Sequence, residues 1–149
     1  DINPSKHKQL TMMAWIKASE FNSDSDIKTI ISNDDGEFDR TLLLDNRGEV
    51  KGLSAFAGDC EVFGASPIEL NKWIFTAVAY DQDKKTIDVY LNDKKFSKTG
   101  CNIGESQNKF FRVGVNPGFT EPFSGSIDEV RVYNRVLSEQ EINVIYKSY

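Results

Sequence analysis

Short stretches in which apolar and polar residues alternate, or in which nearly every residue is apolar, recur along the 149 residues of the chain. A period of two is typical of β-strands with one buried face, and short continuous apolar runs are typical of strands buried on both faces. The pattern predicts about nine short strands, and the clearest cover 10–18, 29–32, 41–45, 49–56, 73–80, 86–91, 111–115 and 127–133. Because helices do not alternate with these strands, we expect an all-β, antiparallel sandwich of two sheets.

The end of the chain carries the start signals of a helix. Ser138 and Glu141 are spaced as a capping box, and Leu137 and Ile142 occupy the two positions of a hydrophobic staple. Further apolar residues follow three and four positions apart. The sequence therefore predicts one short C-terminal helix at about 138–147, which packs a narrow apolar face against a sheet.

The strand predicted at 127–133 contains a carboxylate in an unfavourable position. Alternation places Asp128 on the same face as Val130 and Val132, and we expect this face to be buried. An unpaired carboxylate is costly in an apolar environment. Asp128 should therefore be satisfied by backbone donors near Gly125, by a cationic side chain or by a metal ion.

Four stretches resemble the sequence pattern of laminin-G-like, concanavalin A-like jelly-roll domains. The most specific is G-x-I-D-E-V-R-V-Y-N-R-x-L-S-x-x-E-I at 125–142, which is similar to a C-terminal signature in which a strand leads into a short helix. The others are an A-W-I-K strand at 10–17, a W-x-x-x-A-x-x-Y-D strand at 73–81 and a hairpin at 87–93. The resemblance covers nearly the whole chain in the family's order. It implies that residues 1–149 form a single jelly-roll domain.

The chain departs from the family pattern in two ways. Asp93 stands where the hairpin pattern has glycine, so we expect a strained turn at Asn92 and Asp93. A strand before Leu10 and a final strand after the helix are not recognisable. Since the sequence also opens at Asp1 without methionine, we expect a domain excised from a larger protein.

Composition and motifs argue against several classes of function. The formal net charge of −5 is unfavourable for nucleic acid, whose phosphates call for clustered lysine and arginine. No apolar run approaches the roughly 20 residues of a membrane span. The carboxylate motif E-x-D-x-x-E of related glycoside hydrolases does not occur, and His7 is the only histidine, so a Ser-His-Asp triad is not available. We expect a non-catalytic domain, which is compatible with attachment to an enzyme.

Two cysteines, Cys60 and Cys101, lie in loop-like surroundings. A disulfide between them would close a loop of about 40 residues, with a chain-entropy stabilisation of roughly 4 kcal/mol. The even number of cysteines and the resemblance to extracellular modules favour the bond. Two free thiols are the alternative, because the sequence does not give the separation of the two Cα atoms.

Candidate ligand-binding residues lie in the predicted loop at 116–122. Phe119 is an aromatic residue among turn residues, and Asn116 and Glu121 flank it. An aromatic face combined with amide and carboxylate groups can bind a sugar, so we expect these three residues to form a binding site. An ordinary exposed loop aromatic is the alternative.

A second, weaker candidate is Arg40, which follows the acidic segment 33–39. The spacing of that segment does not fit an EF-hand, so a solvated turn is favoured over a calcium loop. Arg40 is added to the ligand-binding residues. Its alternative is a local ion pair with Asp39 or Asp45.

The resemblance also implies a cofactor and a function. Related domains often hold a structural calcium ion at the aspartate of the I-D-E motif, which is Asp128 here; backbone donors near Gly125 are the alternative. The implied function is a non-catalytic carbohydrate-binding module of an extracellular or cell-surface protein, whose partner is a carbohydrate or cell-surface glycan. The alternative is a protein-interaction or spacer domain of an adhesin or another multidomain surface protein.

Overall fold

A computed structural model describes residues 3–21, 27–34, 39–47, 51–58, 60–63, 68–105 and 110–149. The elements are a 3₁₀-helix at Pro4–Lys6, β1 (Gln9–Ala18), β2 (Ile27–Ser32), β3 (Thr41–Asp45), β4 (Gly52–Ala57), β5 (Cys60–Phe63), β6 (Ile74–Asp81), β7 (Thr86–Leu91), β8 (Lys94–Thr99), β9 (Arg112–Val113), β10 (Gly125–Tyr133) and α1 (Glu139–Tyr146). The acidic segment predicted as a solvated turn, and the start of the strand predicted at 49–56, lie partly outside the described residues.

The strands form two five-stranded sheets. Sheet A has the order β10-β1-β6-β7-β8 and sheet B has the order β5-β4-β3-β2-β9. Neighbouring strands pair antiparallel in both sheets. The predicted all-β, antiparallel two-sheet jelly roll with one short C-terminal helix is therefore confirmed.

Strand β1 is buried on both faces, as its sequence predicted. Leu10, Met12 and Ile16 are fully buried in the core between the sheets, whereas Met13 is buried on the outer face of sheet A. Burying one such side chain contributes about 1.5–3 kcal/mol. The two apolar faces of β1 thus place it between the main core and a second, smaller core.

Helix α1 covers that second core and begins where the capping box predicted. The Ser138 hydroxyl accepts from the Glu141 amide at 3.2 Å, and the Glu141 carboxylate accepts from the Ser138 amide at 2.8 Å. Leu137, just before the helix, and Ile142, on the inner face of the helix, are both buried in this core. The Leu137 amide also donates to the Thr11 hydroxyl at 3.0 Å, which ties the helix start to β1.

The prediction of which side chains of β10 are buried is wrong in the first half of the strand. Ile127 and Val132 pack against the main core, whereas Asp128 is exposed and Val130 is 38% exposed. Ile127 and Val132 are five positions apart, and an uninterrupted strand would put them on opposite faces. Asp128 therefore does not end a buried apolar row.

A β-bulge is the reason for this difference. Met13 pairs with Arg131 but Trp15 pairs with Asp128, so one residue of β1 faces two residues of β10. Glu129 lies in the bulge with a φ of 51°. One extra residue reverses the side-chain parity of the remaining strand.

The start of β10 requires a glycine. Gly125 has a φ of 139°, and a Cβ atom added there would lie 2.1 Å from the backbone oxygen of Lys17. Only a residue without a side chain allows β10 to approach β1 this closely. The glycine of the G-x-I-D-E motif therefore has a structural role.

Two further details differ from the expectations. Strands β5 and β8 were not predicted. Asn92, not Asp93, has the positive φ in its turn, at 53°. The Asn92 side-chain oxygen accepts from the Phe75 amide at 3.0 Å, so the left-handed residue is also the one that ties the turn to β6.

Cys60 and Cys101 form a disulfide in the structure, with their Cα atoms 5.4 Å apart. Cys60 begins β5, at one edge of sheet B, and Cys101 follows β8, at one edge of sheet A. The bond therefore joins the two sheets at that side of the sandwich.

Candidate functional site

A cleft of about 250 Å³ opens on the outer face of sheet A, beside β10 and the end of the chain. We call it the Trp73 cleft. Its lining combines three aromatic rings with two carboxylates: Trp15, Trp73, Tyr149, Asp128 and Glu129.

The aromatic side of the cleft is fixed by packing. Trp15 lies edge-on to Phe75 with ring centroids 5.7 Å apart, and it stacks on Tyr146 of α1 at 5.8 Å. Trp73 and Tyr149 stand at the entrance with 45% and 62% of their surfaces exposed. Aromatic rings that are held in place and partly exposed are well suited to contact a ligand.

The acidic side of the cleft is held by hydrogen bonds. Arg131 donates to the Glu129 carboxylate at 2.9 Å, and the Tyr149 hydroxyl also donates to it. These bonds, Tyr149 first, lower the pKa of Glu129 below its ordinary value. Asp128 Oδ1 accepts from the Glu129 amide at 2.8 Å. The two carboxylates differ in their partners: Glu129 is paired with the Arg131 guanidinium, whereas Asp128 accepts a backbone N–H. Cations also lie near both exposed rings, with Lys17 Nζ 5.7 Å from the Trp73 centroid and the Arg131 guanidinium carbon 5.6 Å from that of Tyr149.

The bulge in β10 explains why the sequence did not predict this cleft. Alternation places Asp128 and Glu129 on opposite faces of a regular strand, yet both line the same cleft. Trp73 was predicted only as the start of a strand, and Tyr149 was given no role. The left-handed backbone of Glu129 has no signal in its residue type.

The predicted loop site is assembled in part. Asn116 donates to the Glu121 carboxylate at 3.4 Å, and its side-chain oxygen accepts from the Thr120 amide and hydroxyl at 3.1 and 3.0 Å. The amide of Asn116 is therefore largely used within the turn. Phe119 lies on the same turn and is 70% exposed.

Glu121 is less accessible than the loop prediction assumed. Burial raises the pKa of Glu121 above its ordinary value, while the nearby charge of Arg47 acts in the opposite direction. Arg47 is itself paired with Asp45 at 2.8 Å.

Sequence reasoning missed the cation of this region, Arg112. Its guanidinium carbon lies 4.1 Å from the ring centroid of Phe119 and 5.8 Å from that of Phe110. One face of the exposed Phe119 ring is thus covered by a positive charge. We call Phe110, Arg112 and Phe119 the Arg112 patch.

Arg40 lies in the interior and has no exposed surface. It donates to the Gly104 carbonyl at 2.8 Å, and its guanidinium carbon lies 5.2 Å from the Tyr80 ring centroid. Burial lowers the pKa of Arg40. A ligand at the surface could not contact Arg40 in this arrangement, so the structure does not bring it together with Phe119.

The side chains around Asp128 do not by themselves form a cluster of metal ligands. Within the described ranges, no three acidic, histidine or cysteine side chains gather in a way that could hold a metal ion. The adjacent Glu129 carboxylate is bound by the Arg131 guanidinium, whose charge repels a cation. Asp128 accepts from the neighbouring Glu129 amide, not from a donor near Gly125.

Two antiparallel sheets in this order, followed by a capped helix, define a lectin-like jelly roll. The family described as the concanavalin A-like lectin/glucanases superfamily matches residues 2–143. The chain therefore belongs to this family, and the predicted family is confirmed. A comparison with curated protein sequences finds no match.

Several solved structures share this fold. A proposed carbohydrate-binding protein from Bacteroides ovatus is 25% identical with a TM-score of 0.75; the match covers 92% of this chain and 40% of that one. Domain 4 of a GH43 extracellular arabinanase from Geobacillus stearothermophilus, in complex with arabinotriose, is 22% identical with a TM-score of 0.71, covering 94% and 67%. The CBM40 of a Ruminococcus gnavus sialidase, bound to α2,3-sialyllactose, is 17% identical with a TM-score of 0.71, covering 94% and 83%.

In the described part of the chain, no helix is both long and apolar enough to cross a membrane.

Proposed function

We propose that this domain is a non-catalytic carbohydrate-binding module and that the Trp73 cleft is its binding site. The observation that carries the proposal is the pairing of exposed Trp73 and Tyr149 rings with the carboxylates of Asp128 and Glu129. The volume of about 250 Å³ lies just below the usual range of small-molecule sites, which suits one or two sugar rings.

The chemistry of the cleft favours a neutral sugar. The aromatic faces of Trp73 and Tyr149 can pack against the apolar C–H face of a sugar ring. The Asp128 carboxylate can accept charge-assisted hydrogen bonds from sugar hydroxyls. The Asp128 carboxylate disfavours the carboxylate of an acidic sugar, so we expect uncharged saccharides to bind more tightly.

The comparisons support the class of ligand. The arabinanase domain has the same fold and is described in complex with arabinotriose. The CBM40 also has this fold and is described bound to sialyllactose. At identities of 22% and 17%, these likenesses support the fold of this chain but do not indicate which sugar it binds. We leave the sugar to the binding experiment.

An extracellular or cell-surface location is part of the proposal. The Cys60–Cys101 disulfide supports it, because such bonds persist mainly in oxidising compartments. The arabinanase with a similar domain is described as extracellular.

Calcium at Asp128 stays a prediction that the surroundings of this residue do not favour. Thermal melting with and without a chelator tests it. A fall in the midpoint when the chelator is added would support a structural calcium ion, and an unchanged midpoint would exclude it.

Binding to a panel of neutral oligosaccharides tests the proposed function, followed by calorimetry on the best ligand. We expect Trp73→Ala to weaken binding by about tenfold, because a stacking surface is lost. Val144→Ala is the matched control, since this side chain is also apolar and exposed but lies outside the cleft. If no oligosaccharide of the neutral panel binds, the proposal is contradicted and the protein-interaction or spacer alternative is favoured.

A further inference from the structure

Arg112 differs from the other four arginines in the partners of its guanidinium group. The guanidinium groups of Arg47, Arg131 and Arg135 are paired with carboxylates at 2.7–2.9 Å, and Arg40 donates to a carbonyl at 2.8 Å. Within the described ranges, Arg112 has neither an acidic partner nor a hydrogen-bond acceptor, and its Nε is buried.

The guanidinium of Arg112 lies against two aromatic rings. The rings of Phe119 and Phe110 lie 4.1 and 5.8 Å from its central carbon, and cations interact with ring faces in this way. The N–H groups of a guanidinium form a planar fork of hydrogen-bond donors. Such a fork matches the two oxygens of a carboxylate.

The Arg112 patch is also held in place before any ligand arrives. Phe119 has a φ of 59°, a left-handed conformation that is unusual for a phenylalanine. The Phe119 amide donates to the Asn116 carbonyl at 3.0 Å, and the Asn116 side chain holds Thr120. The turn therefore keeps the ring over Arg112 and exposes 70% of it.

The acidic group of the same turn is bound to other residues. Glu121 shares the turn with Phe119, but the cation that acts on it is Arg47, and its carboxylate accepts from Asn116. An arriving carboxylate would thus find Arg112 without an internal competitor among the described residues.

We propose that the Arg112 patch is a second binding site, which takes the carboxylate of an acidic sugar. Arg112 binds the carboxylate through its in-plane N–H groups, and the exposed rings of Phe110 and Phe119 contact the sugar ring. The choice of a sugar over another carboxylate rests on the proposed carbohydrate-binding function. The anion site itself rests only on the geometry of the patch.

Nuclear magnetic resonance can test both parts in one experiment. The ¹H–¹⁵N spectrum shows the Arg112 Nε–H and the indole N–H groups of Trp15 and Trp73 as separate reporters. The ligands are sodium glucuronate, neutral glucose and sodium acetate. We expect glucuronate to shift the Arg112 signal saturably, glucose to leave it unchanged, and acetate to act about tenfold more weakly because it lacks the sugar ring.

Variants sharpen the assignment. Arg112→Gln should weaken glucuronate binding by about tenfold or more, and Arg112→Lys should restore only part of it because the planar fork is lost. Arg135→Gln is the matched control, as its guanidinium is exposed and already paired with Glu141. Binding that is unchanged in Arg112→Gln would overturn the proposal.

The remaining outcomes are equally informative. If acetate or N-acetylglutamate binds as tightly as glucuronate, the sugar part is wrong and the patch recognises carboxylates or acidic peptides. If glucuronate moves only the indole signals, acidic sugars bind in the Trp73 cleft and the proposal fails. If glucuronate shifts Arg112 while neutral saccharides bind nowhere, the second site stands and the proposed function of the cleft is wrong.

Discussion

The Trp73 cleft and the Arg112 patch are two aromatic surfaces of one domain with different charged neighbours. The cleft places exposed Trp73 and Tyr149 beside two carboxylates, one of them paired with Arg131. The patch places exposed Phe119 against a guanidinium that has no carboxylate partner among the described residues. Aromatic rings supply contact area in both places. The difference shows that the neighbouring charge, more than the ring, decides which class of ligand each surface suits.

The two surfaces also differ in how they are built. The rings of the cleft rest on the packed outer core of sheet A, where Trp15 contacts Phe75 and Tyr146. The patch depends on a turn in which Phe119 and Glu121 both have positive φ angles. The patch should therefore be the more sensitive of the two to changes in its backbone.

The largest expected effect comes from the disulfide, which lies on the side of the sandwich formed by β5 and β8. Replacing both cysteines (Cys60→Ala with Cys101→Ala) should lower the free energy of unfolding by about 4 kcal/mol, since the bond closes a loop between residues 41 apart. Thermal melting should show a midpoint lower by roughly 10 °C.

The same variant sharpens the comparison of the two surfaces, because both lie at the β9 and β10 edges of the sheets. At a temperature where the variant is folded, its preference between neutral and acidic sugars should equal that of the original protein. A changed preference would show that the two surfaces depend on the distant edge.

A smaller effect is expected from Asp128→Asn, which removes one of the two charges of the cleft. Neutral saccharides should bind roughly three- to tenfold more weakly, because a charge-assisted hydrogen bond becomes a neutral one. Glucuronate should begin to shift the Trp73 indole signal as repulsion falls. Since Asp128 is exposed, stability should change by no more than about 0.5 kcal/mol. If the variant prefers neutral saccharides over glucuronate as strongly as the original protein does, charge does not determine which sugar each surface binds.

The smallest effect concerns Glu121, the acidic group of the turn that carries Phe119. Its pKa is raised in the folded protein, mainly by burial, so the folded state holds the proton more tightly than the unfolded state. Stability should therefore fall slightly as pH rises from the ordinary pKa of 4.5 through the raised value. Glu121→Gln should remove this dependence in denaturant titrations at several pH values. A steeper loss of stability in the variant would contradict this assignment.

Local sequence patterns predicted much of the fold. The capping box at Ser138 and Glu141 predicts the helix start, the apolar residues on both faces of β1 predict its burial, and the alternation in β7 predicts the burial of Ile87 and Val89 but misses that of Tyr90. These signals depend on neighbours in sequence, so they can be recognised without a structure. The family followed from motifs that lie on these same elements.

Other features depend on contacts between distant residues, and the sequence did not predict them. Strand β8 is rich in lysine and polar residues because it is an edge strand, where charged side chains are common. The burial of Arg40 is set by Tyr80 and Gly104, which are 40 and 64 positions away in the chain. That Arg112 has no carboxylate partner among the described residues could be found only by comparing all five arginines in space.

The bulge at Glu129 lies between the residues that anchor β10 to the core and interrupts the regular alternation of the strand. Ile127 and Val132 anchor β10 to the core on either side of the bulge, while Asp128 and Val130 are exposed between them. The outward residues can therefore be exchanged without opening a cavity in the core. This arrangement makes the segment a natural place for divergence among related domains, and a practical place to install a new ligand preference by protein engineering.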